Sequence, residues 1–135
     1  MSNQTLIGLD VGEKRIGVSV ADTGVRIAVP FATVEVNGSE IETIAEIVLK
    51  EQADIIVVGY PRNQQGEATA QTDYVENFTK RLEYLEKDIK FQDESLTSVL
   101  AEQRLIAYKR PYSKGDIDAQ AATIILQDYL EQYYG

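Results

Sequence analysis

The 135-residue chain contains no cysteine and no histidine. Their absence excludes Ser-His-Asp and Cys-His catalysis, histidine general bases and zinc sites of the Cys/His type. The groups left for chemistry are carboxylates, whose preferred ions are oxygen-binding metals such as Mg²⁺ or Mn²⁺. A chain without cysteine also has no disulfide framework, which fits a cytoplasmic protein.

Long apolar runs and an excess of positive charge are missing as well. No apolar run approaches the roughly 20 residues of a membrane helix, and residues 1–5 lack the basic region of a signal peptide. The 22 acidic residues outnumber the 13 basic ones, which gives a formal net charge of −9. This balance argues against nonspecific nucleic-acid binding, although a local basic patch remains possible. The length predicts one domain over residues 1–135.

The most informative segment is residues 6–22, with the sequence LIGLDVGEKRIGVSVAD. Its alternation predicts two strands joined by a turn, with Gly8 and Asp10 on one face of the first strand. Glycines at positions 8, 12 and 17 would let a phosphate-bearing ligand approach the backbone, with a metal ion on Asp10 as the bridge. The alternative is a structural hairpin whose glycines serve the turn.

The remaining patterns predict the element order βββαβαβαα. They place a third strand at 25–36, a helix capped by Ser39, a buried strand at 54–59 and a helix at 68–86. A strand at 89–93, a helix ending at 108 and a final helix from 116 to about 133 follow. The expected fold is α/β, with a three-stranded antiparallel meander and parallel strands in one mixed sheet. The loop predicted at 59–66 would lie at the carboxyl edge, where α/β proteins bind ligands.

Two further acids are candidates for a site with Asp10. Asp118 shares a helix face with Ala121 and Ala122, so it is predicted to point toward the protein near the end of the first strand. The alternative is an acid of the first turn that complements the helix dipole, a role that Asp116 could fill as N-cap. Glu94 ends a strand and could equally be a solvated acid. Two metal ions held by such a cluster could support phosphodiester cleavage.

Basic residues lie in or near the segments predicted to surround these acids, although each could also be a solvated surface charge. The predicted nucleic-acid contacts are Lys14, Arg15, Arg62, Lys109, Arg110 and Lys114, and Arg104 lies in the same region.

The chain resembles the YqgF/RuvX family of Holliday junction resolvases, whose members are also described as pre-16S rRNA nucleases. The resemblance covers nearly the whole chain and combines several motifs in the same order: GLDVG at 8–12 with KRIGV at 14–18, AVP at 28–30, VGYP at 58–61 with Gly66, DE at 93–94 followed by LT at 96–97, AE at 101–102, and residues 118–130.

This resemblance implies a ribonuclease-H-like fold and a metal-dependent nuclease. It also implies that Asp10, Glu94 and Asp118 are the catalytic metal ligands, with Mg²⁺ or Mn²⁺ as cofactor. Two positions depart from the family pattern. Ser95 stands where an arginine usually follows the glutamate, which removes a phosphate clamp, and Glu13 stands where threonine is common.

Several functions remain open at this point. The first is cleavage of structured RNA, by resemblance in 5′-end maturation of pre-16S rRNA. A second is resolution of four-way DNA junctions, which would require a symmetric dimer. A third is a catalytically weak nucleic-acid-binding or regulatory protein, as Ser95, Glu13 and the negative charge suggest. Phosphotransfer of the actin-like type is disfavoured because it needs two domains. The expected partner is nucleic acid, with no membrane, and the expected state is a monomer or weak homodimer.

Overall fold

The computed structural model describes residues 3–61, 65–94 and 97–135. Its elements follow the predicted order, with one additional 3₁₀ turn at Glu83–Leu85. The strands are β1 (Thr5–Val11), β2 (Arg15–Asp22), β3 (Val29–Glu35), β4 (Ile55–Pro61) and β5 (Asp88–Glu94). The helices are α1 (Glu40–Lys50), α2 (Ala70–Lys80), α3 (Thr97–Ala107) and α4 (Lys114–Tyr134).

The five strands form one mixed sheet in the order β3-β2-β1-β4-β5. Strands β1, β2 and β3 form an antiparallel meander, whereas β4 is parallel to β1 and β5 is parallel to β4. The predicted mixed sheet is therefore confirmed. The carboxyl ends of β1, β4 and β5 meet at one edge, where ligands of α/β sheets bind.

Each face of the sheet carries its own apolar core. On one face Ile7, Leu9 and Val11 of β1 pack with residues of α1 and α2. On the other face Leu6 packs with residues of α4. Strand β4 contributes Ile56 and Val58 to the first core and Ile55 and Val57 to the second, so it is buried on both faces, as its apolar sequence predicts.

Several predicted boundaries are wrong for local reasons. β3 begins at Val29 rather than at 25, because the backbone N–H groups of Val25 and Arg26 donate to Asp22 and turn the chain. β4 continues past Gly59 to Pro61, since its last two residues pair with the end of β5. α2 ends at Lys80 and gives way to the 3₁₀ turn, after which Glu86 adopts a left-handed conformation.

The helix caps also differ in detail from the prediction. Ser39 is the N-cap of α1 but its side chain makes no capping hydrogen bond. The carboxylate of Glu40 serves instead, accepting from the backbone N–H groups of Asn37 and Gly38 at 3.2 and 2.7 Å. In α4 the N-cap is Ser113, and Asp116 is its partner in a capping box rather than the cap itself.

Helix α4 lies unusually close to β1 and β2. The Ser19 hydroxyl donates to the carbonyl oxygen of Ala122 at 2.8 Å. A Cβ atom at Gly17 would lie 1.9 Å from the carbonyl oxygen of Asp118, and one at Gly8 would lie 2.8 Å from Leu126 Cβ. The interpretation of these glycines as ligand-approach positions is therefore wrong at 8 and 17, because α4 occupies the space.

Gly12 has a structural role too. A Cβ atom there would lie 2.7 Å from the carbonyl oxygen of Arg15, within the β1–β2 turn.

Within the described ranges, none of the helices combines the length and apolarity needed to cross a membrane.

We expect Gly17→Ala to destabilise the protein by about 3 kcal/mol, because the added methyl group would collide with backbone rather than with a movable side chain. Gly115→Ala is the matched control, since its Cβ would meet Thr33 at an ordinary 3.5 Å. Urea unfolding of both variants measures the difference. Equal stability of the two variants would contradict the close approach of α4.

Stability should depend on Glu40 in a pH-dependent way. The backbone N–H donors around its carboxylate lower its pKa from 4.5. A lowered folded-state pKa stabilises the protein above pH 4.5, and this contribution is lost as the pH falls through the folded-state pKa. Glu40→Gln should thus lower the Tm at pH 7, with a gap that narrows in acid. Glu46→Gln, which removes an exposed carboxylate from the same helix, is the matched control.

Candidate active site

Asp10 lies near the carboxyl end of β1, on the face covered by α4. It pairs across the sheet with Gly17 of β2 and is half-buried. The alternation of β1 confirms the predicted face, because Leu9 and Val11 belong to the opposite core. Asp10 therefore presents a carboxylate at the junction between strand end and helix.

Asp118 approaches the same place from α4. Its backbone lies directly against Gly17, the cross-strand partner of Asp10. Its side chain is about one-fifth exposed, with a relative accessibility of 20%. The prediction that Asp118 faces the protein near the end of β1 is confirmed. Gly17 is thus the point at which both carboxylate-bearing segments meet.

Arg15 binds one of these two carboxylates. Its Nε donates to Asp118 Oδ2 at 2.6 Å, and both side chains are largely shielded from solvent. The sequence predicts Arg15 as a nucleic-acid contact, but in this structure its guanidinium pairs with an acid of the site. The pair neutralises part of the negative charge that two neighbouring carboxylates create.

Glu94 is the last residue of β5 and pairs with Pro61 of β4. Position 94 is therefore at the sheet edge where β1 ends. The side chain of Glu94 lies outside what the structure describes.

The donor chemistry of this edge fits a hard divalent cation. Asp10 and Asp118 supply carboxylate oxygens, and the chain offers no histidine or thiolate. Among the side chains that the structure describes, no three acidic groups are close enough to hold an ion together. The convergence of Asp10, Glu94 and Asp118 on one metal thus stays a prediction.

The basic residues fall into two groups beside α4. The carbonyl oxygen of Lys14 accepts from Val36, just beyond β3, and Lys114 begins α4 next to Gly115, whose carbonyl accepts from Thr33 of β3. Lys14 and Lys114 are both exposed, and they lie with Arg15 around the start of α4. Their role in binding nucleic acid stays a prediction.

Lys109 and Arg110 belong to the second group, in the loop between α3 and α4. Arg110 lies over the ring of Tyr108, with Cζ 5.6 Å from the ring centroid. Arg110 and Tyr108, together with Arg104 and Tyr112, line a groove against the start of β3. The prediction for Arg62 falls outside the described residues.

The two tyrosines were missed by the sequence prediction, which considered only the charges of this loop. The missed signal is the interleaving of aromatic and basic residues in YKRPYSK at 108–114. That pattern is typical of surfaces that bind unpaired nucleotides, because bases stack on aromatic rings while cations contact phosphates.

The architecture is that of a ribonuclease-H-like fold. The structure of RuvC from Thermus thermophilus in complex with a Holliday junction substrate is similar, with a TM-score of 0.58, 14% identity and coverage of 97% of each chain. The fowlpox virus resolvase bound to Holliday junction DNA gives a TM-score of 0.60 at 10% identity, covering 98% of this chain and 100% of that one. These likenesses define the fold class.

Sequence comparison narrows this class to one family. Residues 4–132 match the model of the RuvX family, described as "Holliday junction resolvase", and the chain belongs to that family. A protein of Chloroflexus aggregans is 42% identical, covering 97% of this chain and 96% of its own. One of Rippkaea orientalis is 40% identical, covering 97% and 98%. Both are named "Putative pre-16S rRNA nuclease".

These findings confirm the predicted family, fold and activity class. The protein is a nuclease that hydrolyses phosphodiester bonds, and its substrate is nucleic acid. Nucleases of this fold generally depend on a divalent cation.

Arg15 should compete with a cation for Asp118. We expect Arg15→Ala to tighten Mn²⁺ binding about tenfold, equal to about 1.4 kcal/mol, because it removes a positive charge from a carboxylate oxygen. Isothermal titration calorimetry with MnCl₂ measures the change. Arg26→Ala is the control, since that guanidinium donates to the carbonyl of Tyr134 at the far end of α4. Unchanged or weaker Mn²⁺ binding by Arg15→Ala would show that the pair does not compete with metal.

Proposed function

We propose that this protein is a metal-dependent nuclease that cleaves structured RNA in the 5′-end maturation of pre-16S rRNA. The observation that carries the proposal is the meeting of Asp10 and Asp118 at Gly17, at the sheet edge where β5 ends with Glu94. The names of the 40–42% identical relatives support RNA as the substrate. Such a role belongs in the cytoplasm, where ribosomes are assembled.

In this proposal Asp10, Glu94 and Asp118 hold the divalent cation, either Mg²⁺ or Mn²⁺. The bound cation would activate water and stabilise the leaving oxygen of the phosphodiester. β1 supplies Asp10 from a strand that is hydrogen-bonded on both sides, so this carboxylate has a rigid base. Asp118 comes from the second turn of a 21-residue helix that is fixed against the same strands.

Phosphate binding must be local, because the chain as a whole carries a charge of −9. The exposed Lys14 and Lys114 lie close to the start of α4 and are suited to contact phosphates on either side of the cleaved bond. Arg15 holds Asp118 in place and keeps the local charge closer to neutral. Lys109, Arg110 and Arg62 complete the proposed nucleic-acid contacts.

Resolution of four-way DNA junctions is the second candidate, and the description of the matching family supports it. Cutting two strands symmetrically requires a twofold dimer, whereas maturation of one RNA end needs only one copy of the site. Two measurements therefore distinguish the candidates: which substrate the protein cleaves, and whether it is a monomer or a dimer.

Asp10→Asn should lower the cleavage rate at least about a hundredfold with little change in Tm, because the amide keeps the shape and loses the charge. The measurement compares cleavage of a pre-16S rRNA 5′ fragment, a single-stranded RNA and a four-way DNA junction, each with Mg²⁺ or Mn²⁺. Asp54→Asn is the matched control, since Asp54 accepts from the Thr5 N–H at the opposite end of β1.

The outcomes of this assay are distinct. Cleavage of the precursor fragment that is lost only in Asp10→Asn supports the proposal. Cleavage restricted to the junction favours the second candidate. No cleavage of any substrate, or a rate that falls only in proportion to Tm, would overturn the assignment of Asp10.

A further inference from the structure

A groove lies between α3, α4 and the start of β3, on another side of α4 from Asp118. Its volume is about 720 Å³. Residues 28–30 form one wall, the first half of α4 forms another, and Arg104, Tyr108, Arg110 and Tyr112 line the third. We refer to it as the Tyr–Arg groove. Its size is within the range of sites that hold small ligands in proteins.

The aromatic rings in the Tyr–Arg groove are accessible rather than packed away. Tyr108 is 50% exposed and Tyr112 is 37% exposed. Val29 and Pro30 add apolar surface opposite them, and Val29 is itself 47% exposed. A surface of exposed rings and apolar atoms suits the flat face of a nucleobase, which becomes available only when the base is unpaired.

Two arginines supply positive charge along the same wall. Arg110 lies over Tyr108 in a cation–π arrangement, and Arg104 comes from the last turns of α3. Two acids lie nearby: Glu102 accepts from the Tyr112 hydroxyl at 2.9 Å, and Asp116, which also lines the groove, accepts from the Ser113 N–H at 2.9 Å. Phosphates would therefore contact the part of the groove formed by Arg104 and Arg110.

The chain conformation at Lys109 builds this arrangement. Lys109 has a φ of 57°, in the left-handed region, and its N–H donates to the Ile106 carbonyl to close the end of α3. A non-glycine residue in this region costs about 1 kcal/mol or more and is often found at binding sites. The turn brings Arg110 back over Tyr108.

Helix α4 separates the groove from the active site. Asp118 binds Arg15 on the β2 side of α4, whereas Ala119, Gln120 and Thr123 line the groove. Successive residues of an α-helix turn by about 100°, so these groove-lining positions lie on other sides of α4 than Asp118. A strand whose phosphate lies at Asp118 would pass around α4 and reach the groove with nucleotides farther along the strand.

We propose that the Tyr–Arg groove binds an unpaired stretch of the nucleic-acid substrate at a distance from the cleaved bond, with a base stacked on Tyr108 or Tyr112 and phosphates on Arg104 and Arg110. This inference rests on the proposed function and specifies its substrate: a paired region with an adjoining single-stranded flank. The enzyme then prefers a paired-to-unpaired boundary over a continuous duplex.

The test measures binding without divalent metal, so that cleavage does not interfere. The probes are two RNA duplexes of equal length, one blunt and one with an unpaired flank that carries the fluorescent base 2-aminopurine. We expect the full-length protein to bind the flanked duplex about tenfold more tightly and to quench the flank, as stacking of one base predicts. Tyr108→Ala combined with Tyr112→Ala should remove both effects.

Two variants separate stacking from general damage. Tyr108→Phe keeps the ring and should keep the preference for the flanked duplex. Tyr84→Ala removes a tyrosine that is 63% exposed in the 3₁₀ turn, outside the groove, and should behave as wild type. Circular dichroism melts check that each variant is folded.

Equal binding of blunt and flanked duplexes by the wild-type protein would overturn the groove proposal. The proposal would also be overturned if the Tyr108→Ala, Tyr112→Ala double variant preferred the flanked duplex as strongly as Tyr84→Ala does. The nuclease proposal is judged separately by metal-dependent cleavage. If the protein prefers the flanked duplex but cleaves no RNA, the groove proposal stands and the proposed function fails. If it cleaves RNA but binds both duplexes equally, the proposed function stands and the groove proposal fails.

Discussion

The approach of α4 to the β1–β2 hairpin is the constraint on which the rest of the structure depends. It is possible because glycines stand at positions 8 and 17 and because the Ser19 hydroxyl satisfies a helix carbonyl. Larger side chains would move the helix outward and take Asp118 away from the end of β1. The same contact buries one face of the sheet, so stability and the placement of the carboxylates share one cause.

Much of the fold follows from the sequence, because periodicity reports which face of an element is buried. The alternation in β1 and the wholly apolar β4 predicted the faces and depth of those strands correctly. The boundaries were predicted less well where single hydrogen bonds decide them. The Asp22 turn that delays β3 and the Ser113 cap that starts α4 early depend on local geometry that periodicity does not encode.

The position of Asp118 in the candidate site was predictable from the sequence, but its contacts were not. Asp118 could be assigned from its helix face, whereas its pairing with Arg15 links residues 103 positions apart and required the fold. Gly8 and Gly17 were misinterpreted as ligand-approach positions. A closely packed helix and a bound phosphate both need a residue without a side chain, so the sequence does not distinguish them. Tyr108 and Tyr112 were overlooked because charge alone was considered, although an acidic protein that binds nucleic acid needs contacts other than charge.

Asp10 and Asp118 are far apart in the sequence, and this separation also determines when the site forms during folding. Ser19 contacts Ala122, and Arg15 contacts Asp118, across 103 residues in each case. During synthesis the hairpin that holds Asp10 leaves the ribosome long before α4 does, and contacts of such sequence separation form late. A nascent or truncated chain without α4 has no paired carboxylates. The nuclease site is therefore incomplete until α4 has been made and has packed against the hairpin.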